Sequence, residues 1–235
     1  MSARERVALA ELAVKPVEVN FCLKDKIYDS LKDAITSMKI YSDNAELRLD
    51  ERKLAKQLRI SRTPLREALV RLEQEGLVEI VPKKGVYIVR KSKVEILEMI
   101  TVWAALEGMA ARLISKNATD EEIAVLRHLV EPSETGEALA HMDEYSDKNI
   151  TFHQTILSLS KNKLISDLAK NLFIHMQSIR MCTIGEEDRL NRSIVDHTHI
   201  VEALEKRQTA LAEKLVREHT LNLAEHVNKH VTYLS

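Results

Sequence analysis

The chain has few of the residues that interrupt helices. Its 235 residues include only 5 glycines and 4 prolines. Four of these lie close together in the first half of the chain, at Pro64, Gly76, Pro82 and Gly85. The longer segment after residue 92 contains only four more, so helix breakers are sparse there and we predict that it is helical.

Two further absences narrow the class of protein. The cysteines, Cys22 and Cys182, provide neither the spacing of a metal site nor a disulfide framework, so we expect free thiols. The sequence has no run of about 18 apolar residues and no charged-then-apolar leader. We therefore expect a cytoplasmic protein without a membrane partner.

The overall charge hides a difference between two parts of the chain. The whole sequence has a formal net charge of -1, but residues 21–93 contain 17 Lys and Arg against 11 Asp and Glu. Residues 94–235 contain 15 Lys and Arg against 22 Asp and Glu. Only the first part has the positive charge that attracts phosphate groups. We predict a tail (1–20), a basic domain (21–91) and an acidic domain (92–235).

The basic domain contains the pattern of a helix-turn-helix. Asp50 can cap a short helix, and a second helix is predicted to begin near Arg62. Arg62, Thr63 and Arg66 lie in its first turn and a half, away from its apolar residues. Arginine can reach guanine edges or phosphates, and threonine can contact a phosphate or a thymine methyl group. The pattern predicts a recognition helix for double-stranded DNA.

A basic hairpin follows this helix. Two short runs, Leu77–Val81 and Val86–Val89, flank a turn in which Gly85 permits the tight geometry. Lys84 places positive charge at the tip. With one more amphipathic helix upstream, the domain is predicted to be a winged helix-turn-helix of three helices and a two-stranded wing.

These motifs, LDERKLAKQL, SRTPLREAL, RLEQEGLVE and PKKGVYI, resemble the DNA-binding domain of the GntR family of bacterial transcription regulators. The resemblance covers about seventy residues. It implies that DNA is contacted by the residues at the matching positions, which are Arg52, Arg62, Thr63, Arg66 and Gly85.

The acidic domain is predicted to be an all-α bundle of six to seven helices, which makes the fold mainly α. Apolar periodicity and capping signals indicate six helices, at Val94–Ser115, Asp120–Val130, Gly136–Ser158, Leu164–Thr183, Glu187–Glu205 and Thr209–Thr232. Bundles of this size can hold a ligand between their helices.

Histidines are the reactive residues of this bundle. Asn149 and His153 are four residues apart, so they share one helix face. His197 and His219 lie on later helices. Three imidazoles and one amide oxygen would suit a divalent transition metal. The alternative is that the histidines form hydrogen bonds in a polar pocket without any ion.

Residues 94–232 resemble the FCD effector-binding domain of the FadR subfamily, in ALEGMAARLI, FHQTIL, DHTHIVEALEK and REHTLNL. That resemblance implies a metal, for which zinc or nickel is expected, held by His153, His197, His219 and the residue at position 149. Many relatives have an aspartate there, whereas this chain has Asn149. We expect weaker metal binding and more positive charge left for an anionic ligand.

A second departure concerns the effector. Trp103 stands where many relatives carry an arginine four residues before the glutamate that matches Glu107. We therefore name Arg180 as a candidate effector ligand, with a surface position near a helix end as the alternative. Asn222, one turn after His219, is a second candidate.

The two domains together predict a DNA-binding transcription regulator. A homodimer would match a palindromic operator, and a small carboxylate metabolite bound at the metal-containing pocket would control operator affinity. The alternatives are a metal-dependent hydrolase or lyase fused to a DNA-binding module, and an architectural DNA-binding protein. The chain lacks His-Glu-x-x-His and Gly-x-Ser-x-Gly motifs, so we expect no enzyme.

Overall fold

The computed structural model of the protein describes residues 23–42, 45–130, 142–185, 189–232 and 234. The predicted tail, Cys22 and the predicted helix starts at Gly136 and Glu187 lie outside these residues. The described chain is mainly helical and has one small sheet, as predicted.

The first part, residues 23–91, is called the winged domain below. Its helices are α1 (Leu23–Thr36), α2 (Glu51–Leu58) and α3 (Arg62–Gln74). Asp50 caps α2, because its carboxylate accepts hydrogen bonds from the backbone N–H groups of Arg52 and Lys53. Ser61 occupies the N-cap position of α3, but its side chain accepts no capping hydrogen bond from the described backbone. The apolar face of α3 packs against α1.

The wing consists of β2 (Val78–Val81) and β3 (Gly85–Ile88), which pair antiparallel. The structure adds β1 (Arg48–Leu49), which pairs with the other edge of β3, so the predicted two-stranded wing is part of a three-stranded sheet. A strand of two residues is too short for periodicity to reveal. Gly85 has a φ of 125°, which favours glycine at the wing tip.

The second part, residues 92–234, is called the helical domain. Its helices are α4 (Lys93–Asn117), α5 (Asp120–Val130), α6 (Met142–Leu159), α7 (Lys163–Thr183), α8 (Arg189–Glu205) and α9 (Thr209–His230). Helices α4 and α9 pack side by side through buried aliphatic residues such as Ile100 and Leu223. Where they are described, the predicted helices match these bounds closely. Helix α9 ends at His230 rather than Thr232.

The two domains contact each other through the segment after α1. Tyr41 Oη lies 2.7 Å from His175 Nδ1 on α7, and both side chains are buried. Within the winged domain, Arg90 Nε donates a hydrogen bond to the carbonyl of Ile40, the residue before Tyr41, at 2.6 Å. The winged domain is therefore attached directly to α7.

Candidate DNA-binding surface and effector site

One surface groove of the winged domain, of about 530 Å³, is lined by four arginines together with three acidic residues, Glu46, Asp50 and Glu51. Residues from β1, α2, α3 and the wing tip form it. The structure brings four of the residues predicted to contact DNA into this groove, namely Arg52, Arg62, Arg66 and Gly85. The remaining two lie nearby, since Thr63 shares a neighbouring depression with Arg66, and Lys84 is exposed beside Gly85.

Arg66 also has a partner within the protein. Its Nε lies 2.7 Å from Glu51 Oε2, and the arginine side chain is 63% exposed. Exposed ion pairs of this kind contribute little stability. The guanidinium can therefore exchange this contact for a phosphate or a base edge.

Arg48 is a groove residue that the sequence reasoning missed. It lies on β1 opposite Tyr87, and its Nη2 donates a hydrogen bond to the Lys84 carbonyl at 3.2 Å. A side-chain carbon at Gly85 would lie 3.5 Å from Arg48 Nε. Arg48 thus links β1 to the wing tip, a contact that depends on strand pairing and has no signal in the sequence.

Three histidines from three helices meet in the helical domain. His153 (α6), His197 (α8) and His219 (α9) are buried, and one ring nitrogen of each lies within 4.8 Å of the others. His197 Nε2 and His219 Nε2 are 3.1 Å apart. The ring of Phe152 stacks on His197 with centroids 4.0 Å apart, which fixes the orientation of that imidazole.

Two of these histidines have a carboxylate on the other ring nitrogen. His153 Nδ1 lies 2.6 Å from Glu107 Oε1, and His219 Nδ1 lies 2.9 Å from Asp196 Oδ2. Glu107 also accepts a hydrogen bond from Thr220 Oγ1 at 2.6 Å. Carboxylate partners of this kind orient histidines that bind metals.

Burial sets the protonation of the cluster. Burial lowers the pKa of His153 well below the ordinary value, and the charge of Arg180 lowers it further. Burial also lowers the pKa of His197 well below the ordinary value, with a smaller contribution from His219. Burial also lowers the pKa of His219, although Asp196 acts to raise it. Neutral imidazole is the form that ligates metals.

The carboxyl of Glu107 is fully buried. Burial raises its pKa, while the positive charge of Arg180 acts in the opposite direction. Arg180 itself is only 4% exposed, which rules out the alternative surface position.

Arg180 lies among the cluster residues. Its Nη1 is 2.7 Å from His153 Nε2, and its Nη2 is 3.5 Å from Thr220 Oγ1 and 3.8 Å from Glu107 Oε2. The structure therefore places this candidate effector ligand directly against the candidate metal ligands.

Asn149 lies one turn before His153 on α6 and is 3% exposed. Its Oδ1 is buried and accepts no hydrogen bond from the residues that the structure describes. A buried, unpartnered carbonyl oxygen is costly unless something else binds it. The amide is thus suited to a further ligand, such as a cation.

The donor set fits a divalent transition metal. Nitrogen ligands of a tetrahedral zinc ion lie about 3.3 Å apart, close to the separation of the Nε2 atoms of His197 and His219. Carboxylates orient His153 and His219, as such sites require. The one conflict is Arg180, whose guanidinium faces His153 Nε2, so an ion can use this nitrogen only after Arg180 has moved.

A cavity of about 450 Å³ lies beside the cluster, between α8 and α9. Asp196 and His219 are among its lining residues, so the cavity reaches the cluster. Asn222, the second candidate effector ligand, lines it as well. His226 and His230 stack on its wall with centroids 4.9 Å apart.

Both domains match known families. Residues 23–88 match the family described as bacterial regulatory proteins, gntR family, and residues 98–222 match the FCD domain. The protein belongs to the GntR family. Its helical domain is an FCD domain.

This GntR protein is similar to curated regulators over most of its length. It is 34% identical to the Nta operon transcriptional regulator of Aminobacter aminovorans over 184 residues, which cover 78% of this chain and 82% of the relative. It is 23% identical to the transcriptional repressor RspR of Escherichia coli K12, over 77% of this chain and 79% of that protein. These relatives are regulators of transcription rather than enzymes, in agreement with the sequence-based expectation.

Solved structures share the fold of the GntR protein. Escherichia coli McbR/YncC matches with a TM-score of 0.73 and 21% identity, over 89% of this chain and 99% of that one. A putative transcriptional regulator GntR from Rhodococcus sp. RHA1 has a TM-score of 0.70 and 19% identity, over 88% of this chain and 98% of that one. Within the described part of the chain, no helix combines the length and apolar character needed to cross a bilayer.

Three residues that link the cluster of the GntR protein were not assigned from the sequence. Glu107 is a charged residue on the buried, apolar face of α4, and such an isolated charge is a usable signal. Asp196 directly precedes His197 but binds His219 instead, and Thr220 follows His219. Their partners become evident only when the helices are packed.

Proposed function

We propose that this GntR protein is a ligand-responsive repressor that binds a palindromic operator as a homodimer. A small carboxylate metabolite that binds in the helical domain would release it from DNA. The proposed DNA contacts are Arg48, Arg52, Arg62, Thr63, Arg66, Lys84 and Gly85. The groove that gathers most of them supports this assignment.

Helix α7 contacts both the histidine cluster and the winged domain, and this observation carries the proposal. Arg180 contacts the histidine cluster, while His175, earlier on the same helix, binds Tyr41 of the winged domain. A carboxylate that attracts the Arg180 guanidinium would bias the position of α7. The winged domain rests on that helix, so operator affinity would change if the two positions bind the effector with different affinity.

A divalent transition metal, zinc or nickel, belongs to this proposal. It would be held by His153, His197, His219 and Asn149, and it would supply positive charge for a carboxylate oxygen. The carboxylates that orient two of the imidazoles support it, as does the Asn149 oxygen, which has no hydrogen-bond partner among the described residues. Elemental analysis of protein purified without chelator should find the metal in wild type and not in His153→Ala. Metal-free wild type would contradict this part of the proposal.

The homodimer is supported by apolar side chains on the outer face of α4. Val102 and Met109 are 52% and 46% exposed and lie two turns apart on one stripe. A second copy could cover both. Light scattering at micromolar concentration should give twice the mass of one chain, and a monomer would contradict the proposed homodimer in solution.

The regulatory role is tested with the full-length chain. Sequences that the protein selects from a random DNA library should be palindromic, and a fluorescence anisotropy titration should give their affinity. Small mono- and dicarboxylates added at saturating DNA occupancy should include at least one that lowers that affinity. If no carboxylate changes it while DNA binding is intact, the effector part of the proposal is wrong.

A further inference from the structure

The Arg180 guanidinium engages the nitrogen of His153 that a metal would use. Arginine can only donate hydrogen bonds, so His153 Nε2, at 2.7 Å from Nη1, must be the acceptor. The ring proton of the neutral imidazole is then on Nδ1, which donates to Glu107 at 2.6 Å. His153 therefore has one lone pair available for ligation, and Arg180 occupies it.

The other two histidines form a separate set of hydrogen bonds that needs no ion. With Asp196 bound to His219 Nδ1, that nitrogen carries the proton and His219 Nε2 is an acceptor. His197 Nε2, 3.1 Å away, can donate to it.

We infer that Arg180 and a divalent ion are mutually exclusive partners of His153, so that Arg180 is an internal competitor that sets the metal affinity of this chain. The inference rests on the proposed metal site. It adds that metal loading breaks the contact between Arg180 and His153 and frees the guanidinium for another anion, such as the carboxylate of the effector.

Electrostatics opposes simultaneous occupation. The guanidinium stays charged at any working pH, and a divalent ion on His153 Nε2 would lie within a few ångströms of it in a buried site. Glu107, at 3.8 Å from Nη2, offsets a single positive charge. Asn149 adds an oxygen ligand but no negative charge, so it does not offset the additional positive charge of a divalent ion.

The test is a metal titration of the full-length protein after removal of bound metal with a chelator. Zn²⁺, and separately Ni²⁺, is added in competition with a chromophoric chelator to wild type, Arg180→Met and Arg180→Gln. Loss of the competing charge-assisted hydrogen bond should tighten metal binding about 10- to 100-fold in both variants. Arg217→Met, at an exposed position on α9, is the matched control and should bind metal as wild type does.

Each outcome is decisive. Tighter binding in the Arg180 variants that is lost again when His153→Ala is added supports the competition. Equal affinity in wild type and both variants overturns the competition but leaves the metal site intact. No metal binding by any protein overturns the metal site and the competition together. Circular dichroism checks folding, and the polar Gln variant serves if the Met variant does not fold.

Discussion

The hydrogen bond between Tyr41 and His175 offers the sharpest test of how the domains are joined. The Lys91 N–H donates to Tyr41 Oη at 3.2 Å, so the hydroxyl proton is free to bind His175 Nδ1 at 2.7 Å. Tyr41→Phe removes only the oxygen and keeps the ring. Two polar groups, His175 Nδ1 and the Lys91 N–H, then lose their partner.

The size of the effect follows from burial. Tyr41 and His175 are 1% and 3% exposed, so water cannot easily replace the lost hydroxyl. An unsatisfied buried group costs about 1 to 3 kcal/mol. We expect the free energy of unfolding to fall by about 2 kcal/mol, which corresponds to about 4 to 8 °C in Tm for a chain of this size.

Urea denaturation followed by circular dichroism measures this change. Tyr87→Phe is the matched control, because the Tyr87 hydroxyl makes a longer bond, 3.3 Å, to the Lys84 carbonyl in the partly exposed wing. We expect that variant to lose less than about 0.5 kcal/mol. If Tyr41→Phe is no less stable than Tyr87→Phe, the buried contact does not join the domains as argued.

Three further predictions concern DNA, metal and pH. Arg62→Ala and Arg66→Ala should each weaken binding to selected DNA by about 1 to 3 kcal/mol in anisotropy titrations at matched salt, with Arg217→Ala unchanged; normal affinity would refute the recognition-helix assignment. Asn149→Asp should tighten Zn²⁺ binding about tenfold or more in chelator competition, because it adds a negative charge beside the ion, whereas Asn162→Asp at the start of α7 should have no effect; unchanged affinity in Asn149→Asp would show that this residue is not a ligand. Burial, with a smaller contribution from the charge of Lys91, lowers the pKa of His175 to about 4 from 6.5. The unfolded chain therefore binds the proton first as pH falls, and His175 alone should lower the free energy of unfolding by up to about 1.4 kcal/mol per pH unit between pH 6.5 and 4. His175→Gln should remove that part of the slope, and identical slopes in the two proteins would exclude a neutral, buried His175.

Local chemistry explains why so much of the winged domain is predictable. Asp50 caps α2 through backbone groups two and three residues away, and Gly85 is required by the backbone of its own turn. The apolar spacing of α3 likewise reports its buried face. Strand β1 escaped prediction because its two residues owe their conformation to β3 and not to their own pattern.

In the helical domain, spacing within one helix was predictable from the sequence, whereas contacts between different helices were not. Spacing alone placed Asn149 and His153 on one helix face, and the motifs pointed to His197 and His219 as their partners. Nothing in the spacing shows that Arg180 would take the lone pair of His153, since the two residues lie on different helices, 27 positions apart. Only the packing of α6 against α7 brings them together.

The sequence by itself determined the helices and the wing turn and predicted the basic recognition surface, because caps, glycines and periodicity act over a few residues. The resemblance of its motifs to the FCD domain identified the histidines. The tertiary structure decided which groups face one another. It buried Glu107 and Arg180 in the histidine cluster, and it joined Tyr41 to His175 across 134 positions of sequence. Such contacts depend on how whole helices pack, and buried charges and hydrogen bonds take their strength from that packing.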